Sequence, residues 1–402
     1  MYQEKKSFHS LISAKSILPL DSVAFAAVPE ELIEKSKMTK DVFIKEIMHN
    51  APLISVILDT VFGRIGVMLI PIIYEELYHD NNLAGALQNA IVLAKTCGAK
   101  CASLTGLIPS ATNYGLDIKI DYENSNFLLT TGHGTTVSAI VLNIEYALAS
   151  TKRNIELEAI ACVGLGSIGL TTLYLMLSVL KHPKKLILCD IFSKRKELEN
   201  IKHKILNDFN YKGEVLIAQS LTGELPELIY SNATLLIGAT NIPNIVSTTS
   251  LKPGTIIVDD SAPHIFDYSS CLKRFKEQKD ILVLQGGKLT LPASINFFYS
   301  DIAELASPKK KLEKISRDKS NEIMGCTLGS ILPLISDTIL PTLGVVHTNT
   351  AVSYYNFLKE RKIIASSLQC KDYYYKKNDI EKFSTLELPN SNGLCSGASN
   401  SS

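Results

Sequence analysis

Three glycines with the spacing of a nucleotide-binding turn give the clearest chemical signal in this chain. Gly164, Gly166 and Gly169 follow a short apolar run and lead into a second apolar stretch. In such a turn the first glycine allows a tight bend, the second lets the backbone approach a pyrophosphate, and the third lets a helix pack closely on a strand. The phosphates then bind at the helix N-terminus. The pattern predicts a dinucleotide site that also includes Ser167 and Ile168.

An acidic residue bears on which dinucleotide would bind. Asp190 ends the next apolar run, 21 positions after Gly169. A carboxylate there accepts hydrogen bonds from the ribose hydroxyls of NAD and repels the 2′-phosphate of NADP. Lys194 and Arg195 follow closely and would bind that phosphate if Asp190 turned away. The cofactor is therefore NADH or NADPH, and Asp190 favours NADH.

Two more loops contribute to the predicted cofactor site. Ala239 and Thr240 belong to the small-residue loop "GATNIP", which would pass under the nicotinamide ribose, and Gly286 and Gly287 would let the nicotinamide approach the backbone. Each loop follows an apolar run, and open α/β sheets bind ligands at the carboxyl ends of their strands.

The elements that would position these loops are short apolar strands alternating with helical segments. The predicted strands span residues 158–164, 185–190, 214–219, 234–240, 255–260 and 281–287. Near-continuous apolar strands with helical connections indicate a parallel sheet covered on both faces. The predicted fold is α/β, with a central Rossmann-type doubly wound parallel sheet, an N-terminal α/β domain and a C-terminal helical segment.

The predicted division of the chain follows from this pattern. It comprises an unassigned extension (1–40), an N-terminal α/β substrate domain (41–150), a Rossmann dinucleotide-binding domain (151–290), a C-terminal helical segment (291–370) and a disordered tail (385–402). The apolar run 51–73 carries Asp59 and Arg64, whose charges would be costly in lipid, so we interpret it as buried strands and not as a transmembrane helix.

Composition excludes several classes of partner. Hydrophobic residues make up 46% of the 402 residues, and a net charge of +1 gives no overall field that would attract nucleic acid. The eight cysteines form no disulfide framework, which favours a reducing, cytoplasmic location, and no His/Cys spacing indicates a zinc site. No signal in the sequence sets the oligomeric state.

A series of motifs resembles one known family over roughly residues 60–350. The motifs are "GRIGVMLIP" (63–71), "TTGHGTTVSA" (130–139), "AIACVGLGSIG" (159–169), "LKPGTIIVDDSAP" (251–263), "ILVLQGGKL" (281–289), "AELASP" (303–308), "NEIMGCTLGSILP" (321–333) and "HTN" (347–349). In their order and spacing they resemble the cyanobacterial long-chain acyl-(acyl carrier protein) reductases. The resemblance implies reduction of a fatty acyl thioester to an aldehyde with a nicotinamide cofactor. Cys326 matches the family's acylated cysteine.

The chain departs from this family at two places. Asp190 and Ile191 stand where the family has "AR", a pair suited to NADPH, and His133 stands where it has Asn.

A cysteine suits this chemistry because it keeps the substrate a thioester and is expelled as a thiolate when the carbonyl is reduced. A helix N-terminus or a nearby cation would lower its pKa, and a run of lysines and arginines spans residues 309–319. Donors for the oxygen of the intermediate are expected at Thr130, Thr131, Gly132 and Thr135. His133 is a candidate proton donor.

The basic run has a second possible use, since it would steer an acidic acyl carrier protein toward the site. Two alternatives to thioester reduction stay open. A bare Rossmann core also serves dehydrogenases of amino or hydroxy acids, and it would serve a non-catalytic NAD-binding protein as well.

Overall fold

The computed structural model describes residues 7–80, 82–119, 126–220, 223–300 and 321–384. Its strands are β1 (Ser22–Val28), β2 (Leu53–Thr60), β3 (Gly63–Ile73), β4 (Cys101–Leu104), β5 (Leu128–Thr130), β6 (Ala159–Val163), β7 (Lys185–Ile191), β8 (Glu214–Ser220), β9 (Leu235–Gly238), β10 (Thr255–Asp259), β11 (Ile281–Gln285), β12 (Lys288–Thr290), β13 (Asn296–Tyr299), β14 (Glu322–Met324), β15 (Ile364–Ala365), β16 (Gln369–Cys370) and β17 (Tyr373–Tyr374).

The α-helices are α1 (Phe8–Ser13), α2 (Glu30–Ser36), α3 (Lys40–Val42), α4 (Leu83–Thr96), α5 (Ile108–Ala111), α6 (His133–Ser150), α7 (Ser167–Val179), α8 (Arg195–Asp208), α9 (Glu227–Asn232), α10 (Tyr268–Gln278), α11 (Gly325–Leu328), α12 (Leu332–Ile335), α13 (Thr348–Glu360) and α14 (Lys377–Ser384). Within the described ranges, none combines the length and the apolar character needed to cross a bilayer.

The first sheet is mixed and has the strand order β13-β2-β3-β1-β4-β5. β1 lies in its middle and pairs in parallel with β3 and β4. Residues 1–40, to which the sequence assigned no element, therefore supply a central strand.

The apolar run 51–73 forms the antiparallel hairpin β2–β3, as expected for buried strands. Asp59 and Arg64 face each other across it and form an ion pair at 3.2 Å. Pairing the two charges at the end of the hairpin removes the cost that they would carry in an apolar setting.

The second sheet has the order β11-β10-β9-β6-β7-β8, and all its pairings are parallel. Each of the six predicted strands corresponds to one of these strands, so the predicted doubly wound α/β fold is confirmed. The order of connection reverses between β6 and β9, and open α/β sheets bind ligands at such a switch point. Apolar side chains cover both faces, with Cys162 and Leu188 on one and Ala161 and Ile187 on the other.

A buried ion pair secures the opposite end of this sheet. The Glu158 carboxylate is fully buried before β6 and accepts hydrogen bonds from the Arg153 guanidinium and from the Thr234 hydroxyl. Arg153 also donates to the Gly254 carbonyl at 2.6 Å. The start of β6 is thereby tied to the loops that precede β9 and β10.

Helix α6 connects the two sheets. It begins three residues after β5 of the first sheet, and its apolar side chains belong to the same core as one face of the second sheet. Most of its residues are buried, which fits its apolar character on all sides. The Thr/Gly loop at its start is therefore held between the sheets.

The segment after the second sheet combines helices and strands. β12 forms a small antiparallel sheet with β14 and β15, and β13 returns to the edge of the first sheet. α11 carries Cys326 directly after β14. The basic run 309–319 and the tail 385–402 lie outside the described residues, and the proposed domain boundaries stay predictions.

Candidate functional site

The glycine turn lies between β6 and α7, at the switch point of the second sheet. Gly164 has φ +83°, a conformation that favours glycine, and a Cβ there would lie 2.4 Å from the Ala239 carbonyl oxygen. A Cβ on Gly169 would lie 1.9 Å from the Gly164 oxygen. At Gly166 and Ser167 the turn opens into the N-terminus of α7. The backbone therefore forms a close-packed turn that leaves the first amides of α7 facing the carboxyl ends of the strands.

Asp190 is held beside this turn and does not turn away. Its Oδ2 accepts a hydrogen bond from the Leu165 amide at 2.8 Å and pairs with the Lys194 ammonium at 3.0 Å. Arg195 is exposed at the first position of α8. Because Lys194 is paired with Asp190, its ammonium is not free to bind the 2′-phosphate of NADP. The Asp190 carboxylate still has lone pairs that can accept hydrogen bonds from ribose hydroxyls.

The loop after β9 completes the cofactor cleft. The Ala239 amide donates to the Val163 carbonyl at 2.9 Å, and the Thr240 amide donates to the Ser261 hydroxyl at 3.0 Å. A cleft of about 220 Å³ opens beside these residues, and its lining includes Gly164, Asp190, Thr240 and Ile242. Partly exposed Ile242 forms an apolar wall of this cleft, and the Asp190 carboxylate forms a hydrogen-bonding edge.

The double-glycine turn is fixed by a side chain that the sequence did not single out. The Asn143 amide on α6 donates to the carbonyls of Gly286 and Lys288, both at 2.8 Å. The Lys288 ammonium pairs with Glu322 at 3.1 Å. A single Asn within a helix gives no signal of this role, because its partners are distant in sequence.

The Thr/Gly loop lies between the two sheets, but two of its hydroxyls are already engaged. Thr130 and Thr131 are fully buried and their hydroxyls contact Thr342 at 3.2 Å. The Thr135 hydroxyl, in contrast, is buried and has no partner among the described residues. Of the expected hydroxyl donors, Thr135 is therefore the one left unengaged.

His133 links this loop to the glycine turn. Its Nδ1 lies 3.0 Å from the Ser167 hydroxyl at the start of α7, and its ring makes an edge contact with Tyr114 at 5.9 Å. Burial lowers the pKa of His133 to about 4, so the imidazole is neutral at pH 7. The Tyr114 hydroxyl also lies near Gly166, 3.6 Å from the position of a Cβ there. The predicted proton donor thus adjoins the predicted phosphate site.

Cys326 lies where the Thr/Gly loop and the double-glycine turn meet. A Cβ on Gly132 would lie 2.9 Å from the Cys326 Cα, and the Gly325 amide donates to the Gly287 carbonyl at 2.8 Å. Gly132, with φ +67°, therefore allows the backbone of α11 to approach the start of α6. Cys326 is partly exposed as a residue, while its thiol is buried. The structure brings Cys326, Gly132, Thr135 and Gly287 together.

The expected lowering of the Cys326 pKa is not observed. Burial raises this pKa to about 11, and the charge of Asp260 raises it further, while hydrogen bonds from Thr327 and the Gly106 amide act in the opposite direction. The short helix α11 stabilises the thiolate too little to offset the cost of burying its charge. The thiol is therefore protonated at neutral pH, and its activation needs a change in its surroundings.

Two further residues of this site were missed by sequence reasoning. The Asp260 carboxyl, just after β10, lies against Gly287. The Tyr74 hydroxyl is buried without a partner among the described residues, and its pKa is raised by burial and, more weakly, by acidic groups that include Asp260 and Cys326. For Asp260 the available signal was an acidic pair at the end of an apolar strand. Tyr74 had none.

The residues present fit a nicotinamide dinucleotide. Gly164 and Gly169 leave no room for a Cβ, so the turn is compact and a pyrophosphate could approach its backbone. The Gln219 amide nitrogen, on the strand residue paired with Asp190, is buried without a partner in the described ranges. Gly164 to Gly169 would bind the pyrophosphate, Asp190 the adenosine ribose, and the loops at Ala239 and Gly286 the nicotinamide half.

Comparisons with known proteins gave only remote likenesses. No protein-family model matches this chain, and no curated protein sequence matches it. The resemblance to acyl-(acyl carrier protein) reductases thus stays a prediction.

Three of the solved structures similar to this chain are dehydrogenases. L-tryptophan dehydrogenase from Nostoc punctiforme is 12% identical, with 90% of this chain and 86% of that chain covered and a TM-score of 0.33. Shikimate 5-dehydrogenase from Listeria monocytogenes is 12% identical, with 73% and 96% covered and a TM-score of 0.31. Salmonella D-lactate dehydrogenase is 11% identical, with 83% and 95% covered and a TM-score of 0.29. These values are too low to assign this chain to a family or to a substrate.

Proposed function

We propose that this chain is a nicotinamide-dependent oxidoreductase that uses NADH. The observation that carries this proposal is the close-packed glycine turn at the switch point of a doubly wound sheet, with the Asp190 carboxylate fixed beside it. Ion pairing of Lys194 with Asp190 supports NADH over NADPH, because the ammonium is not free to neutralise a 2′-phosphate.

We further propose that the substrate is an acyl thioester, presented by an acidic acyl carrier protein, and that Cys326 accepts the acyl group. The support is the position of Cys326 between the Thr/Gly loop and the double-glycine turn. The hydrogen bonds from Thr327 and the Gly106 amide would stabilise its thiolate. The acyl length is left open by this argument.

The chemistry follows in two transfers. The Cys326 sulfur attacks the thioester carbonyl and expels the carrier thiol, which leaves the acyl group on the protein as a thioester. A bound nicotinamide would supply a hydride to that carbonyl, after which the carbon–sulfur bond breaks and the aldehyde leaves Cys326. The Thr135 hydroxyl and the neutral His133 imidazole adjoin this region and would stabilise the developing oxyanion.

The alternative is a dehydrogenase that acts on an amino or hydroxy acid. Such a reaction would need no thiol at the site, so the two functions are separated by Cys326. A non-catalytic NAD-binding protein would bind the cofactor and turn over neither class of substrate.

The decisive experiment mixes the protein with an acyl-carrier thioester in the absence of cofactor and measures intact mass. An acyl adduct is expected on the wild-type protein and on Cys271→Ser, a control on α10 away from the site, and its loss is expected in Cys326→Ser. Addition of NADH or NADPH then tests aldehyde release and cofactor preference. Aldehyde production by Cys326→Ser, or turnover of an amino or hydroxy acid by that variant, would refute the covalent role.

A further inference from the structure

The carboxyl group of Asp260 lies in space that the glycine at position 287 leaves open. A Cβ on Gly287 would lie 2.0 Å from Asp260 Oδ1, so the carboxyl group occupies the space that any other side chain would fill. The Asp260 amide donates to the Gly238 carbonyl at 2.9 Å, which fixes the backbone. Among the described residues, no ion pair or hydrogen bond engages the Asp260 carboxyl. With no hydrogen bond from the described residues, the Asp260 oxygens are open to a ligand or to a proton-transfer step.

Its neighbour in sequence has the opposite surroundings. Asp259 is fully buried, and its carboxylate accepts hydrogen bonds from His264 Nδ1 at 2.8 Å and from the amides of Ser261 and Ile265 at 3.1 and 3.3 Å. These three donors occupy the Asp259 carboxylate, and its charge disfavours a second charge on Asp260.

Asp260 lies close enough to Cys326 for its charge to act on the thiol that the proposed function uses. Asp260 lies against Gly287, whose carbonyl accepts a hydrogen bond from the Gly325 amide. Cys326 is the next residue in the sequence. The charge of Asp260 acts on both Cys326 and Tyr74. The titratable groups facing Asp260 in the described part of the chain are therefore Asp259 on its own strand, Tyr74 after β3 and Cys326 on α11. The unpartnered Tyr74 hydroxyl marks a place for a polar atom of a substrate.

We infer that Asp260 is the catalytic acid that protonates the Cys326 sulfur when the aldehyde leaves. This inference rests on the proposed function. The acyl carbon, reduced by two electrons at the expense of the nicotinamide, re-forms its carbonyl while its bond to sulfur breaks. The electron pair of that bond goes to sulfur, and the Asp260 proton follows it. The resulting Asp260 carboxylate takes a proton from solvent, which supplies the one proton that the overall reduction consumes.

The protonation state of Asp260 suits this task. Burial, followed by the charge of Asp259, raises the pKa of Asp260 to about 8. The carboxyl group is therefore protonated at pH 7 and becomes ionised as the pH rises through about 8. Asp260 then both loses its proton and raises the pKa of Cys326.

The test separates acylation from release. Wild-type protein, Asp260→Asn and the control Asp208→Asn, at an exposed position in α8, are first loaded with acyl groups without cofactor. Reduced nicotinamide is then added, and aldehyde release is followed in a single turnover. At pH 7 we expect Asp260→Asn to release aldehyde about 100-fold more slowly than wild type. We also expect the fall in rate above about pH 8 to be absent from this variant. Release at the wild-type rate with an unchanged pH profile would overturn the role.

A second readout needs neither cofactor nor substrate. The rate of Cys326 alkylation by iodoacetamide reports the thiolate fraction, and peptide mapping separates this cysteine from the others. Asp260→Asn is expected to lower the apparent pKa of Cys326, while Asp208→Asn leaves it unchanged. If Asp260→Asn fails to fold, the wild-type profile still decides, because ionisation of Asp260 must reduce its slope near pH 8. A constant slope would contradict the coupling. Absence of any acyl adduct on wild-type protein would refute the proposed function and this role together, whereas an adduct with unaltered release refutes the role alone.

Discussion

Replacement of Asp260 by Asn should make the free energy of unfolding less dependent on pH. The pKa of Asp260 rises from 3.8 to about 8 on folding because burial and the Asp259 charge disfavour its ionised form. A group whose pKa is raised on folding loses its stabilising effect as the pH increases between the unfolded and folded values. This loss of stability therefore occurs between about pH 4 and pH 8. Asparagine does not titrate, so Asp260→Asn has no such loss in this range.

The magnitude follows from one proton bound by the folded protein and absent from the unfolded chain. Each pH unit within the window costs about 1.36 kcal/mol, so between pH 5 and pH 7 wild type should lose about 2.6 kcal/mol relative to Asp260→Asn. The free energy of unfolding can be measured by urea titration with far-UV circular dichroism, since the chain has no tryptophan. Asp208→Asn serves as the control. An equal difference between wild type and Asp260→Asn at both pH values would refute the reasoning.

Four other substitutions test the glycine turn and the buried ion pair. Gly169→Ala should lose about 1–3 kcal/mol of stability and bind no NADH, because its Cβ would lie 1.9 Å from the Gly164 oxygen. At Gly166 the atom nearest to a Cβ, the Tyr114 hydroxyl oxygen, would lie 3.6 Å away, so Gly166→Ala should fold normally. Calorimetry should nevertheless show weaker NADH binding, because the added methyl group keeps the pyrophosphate further from the backbone. Glu158→Gln should lower the free energy of unfolding by about 3–5 kcal/mol, because Arg153 is left buried without a counter-charge. The exposed pair of Glu156 with Lys181 is its control, and Glu156→Gln should change the urea midpoint little.

The second sheet could be predicted from sequence because its strands are short, apolar on both faces and separated by helices. β6 and the turn after it are recognisable from a contiguous stretch of the chain, 159–169. The middle of the first sheet could not be predicted in this way. β1 gains its place only through parallel pairing with β3 and β4, which are distant in sequence. Its stretch 22–28 carries no turn signal that identifies either partner.

The candidate site, like the fold, could be predicted only where its signals are local in sequence. The glycines and Asp190 are local signals, and Gly164 and Asp190 both line one cleft in the structure. The pKa of Cys326 was expected to fall because a basic run precedes it in sequence, and that run lies outside the described residues. In the structure burial and Asp260 control this pKa, and it rises. Proximity in sequence was a poor guide, because the charge that matters comes from the second sheet.

The acidic pair 259–260 shows why identical neighbouring residues take different roles. Consecutive residues at a strand end point to opposite sides of a sheet. One carboxyl therefore accepts hydrogen bonds from the loop 261–265, whereas the other lies against Gly287. Burial and the charge of Asp259 raise the pKa of Asp260, which suits its carboxyl group to donate a proton. Sequence alone shows the pair, but only the two faces of the sheet decide which member is the structural anchor and which is the acid.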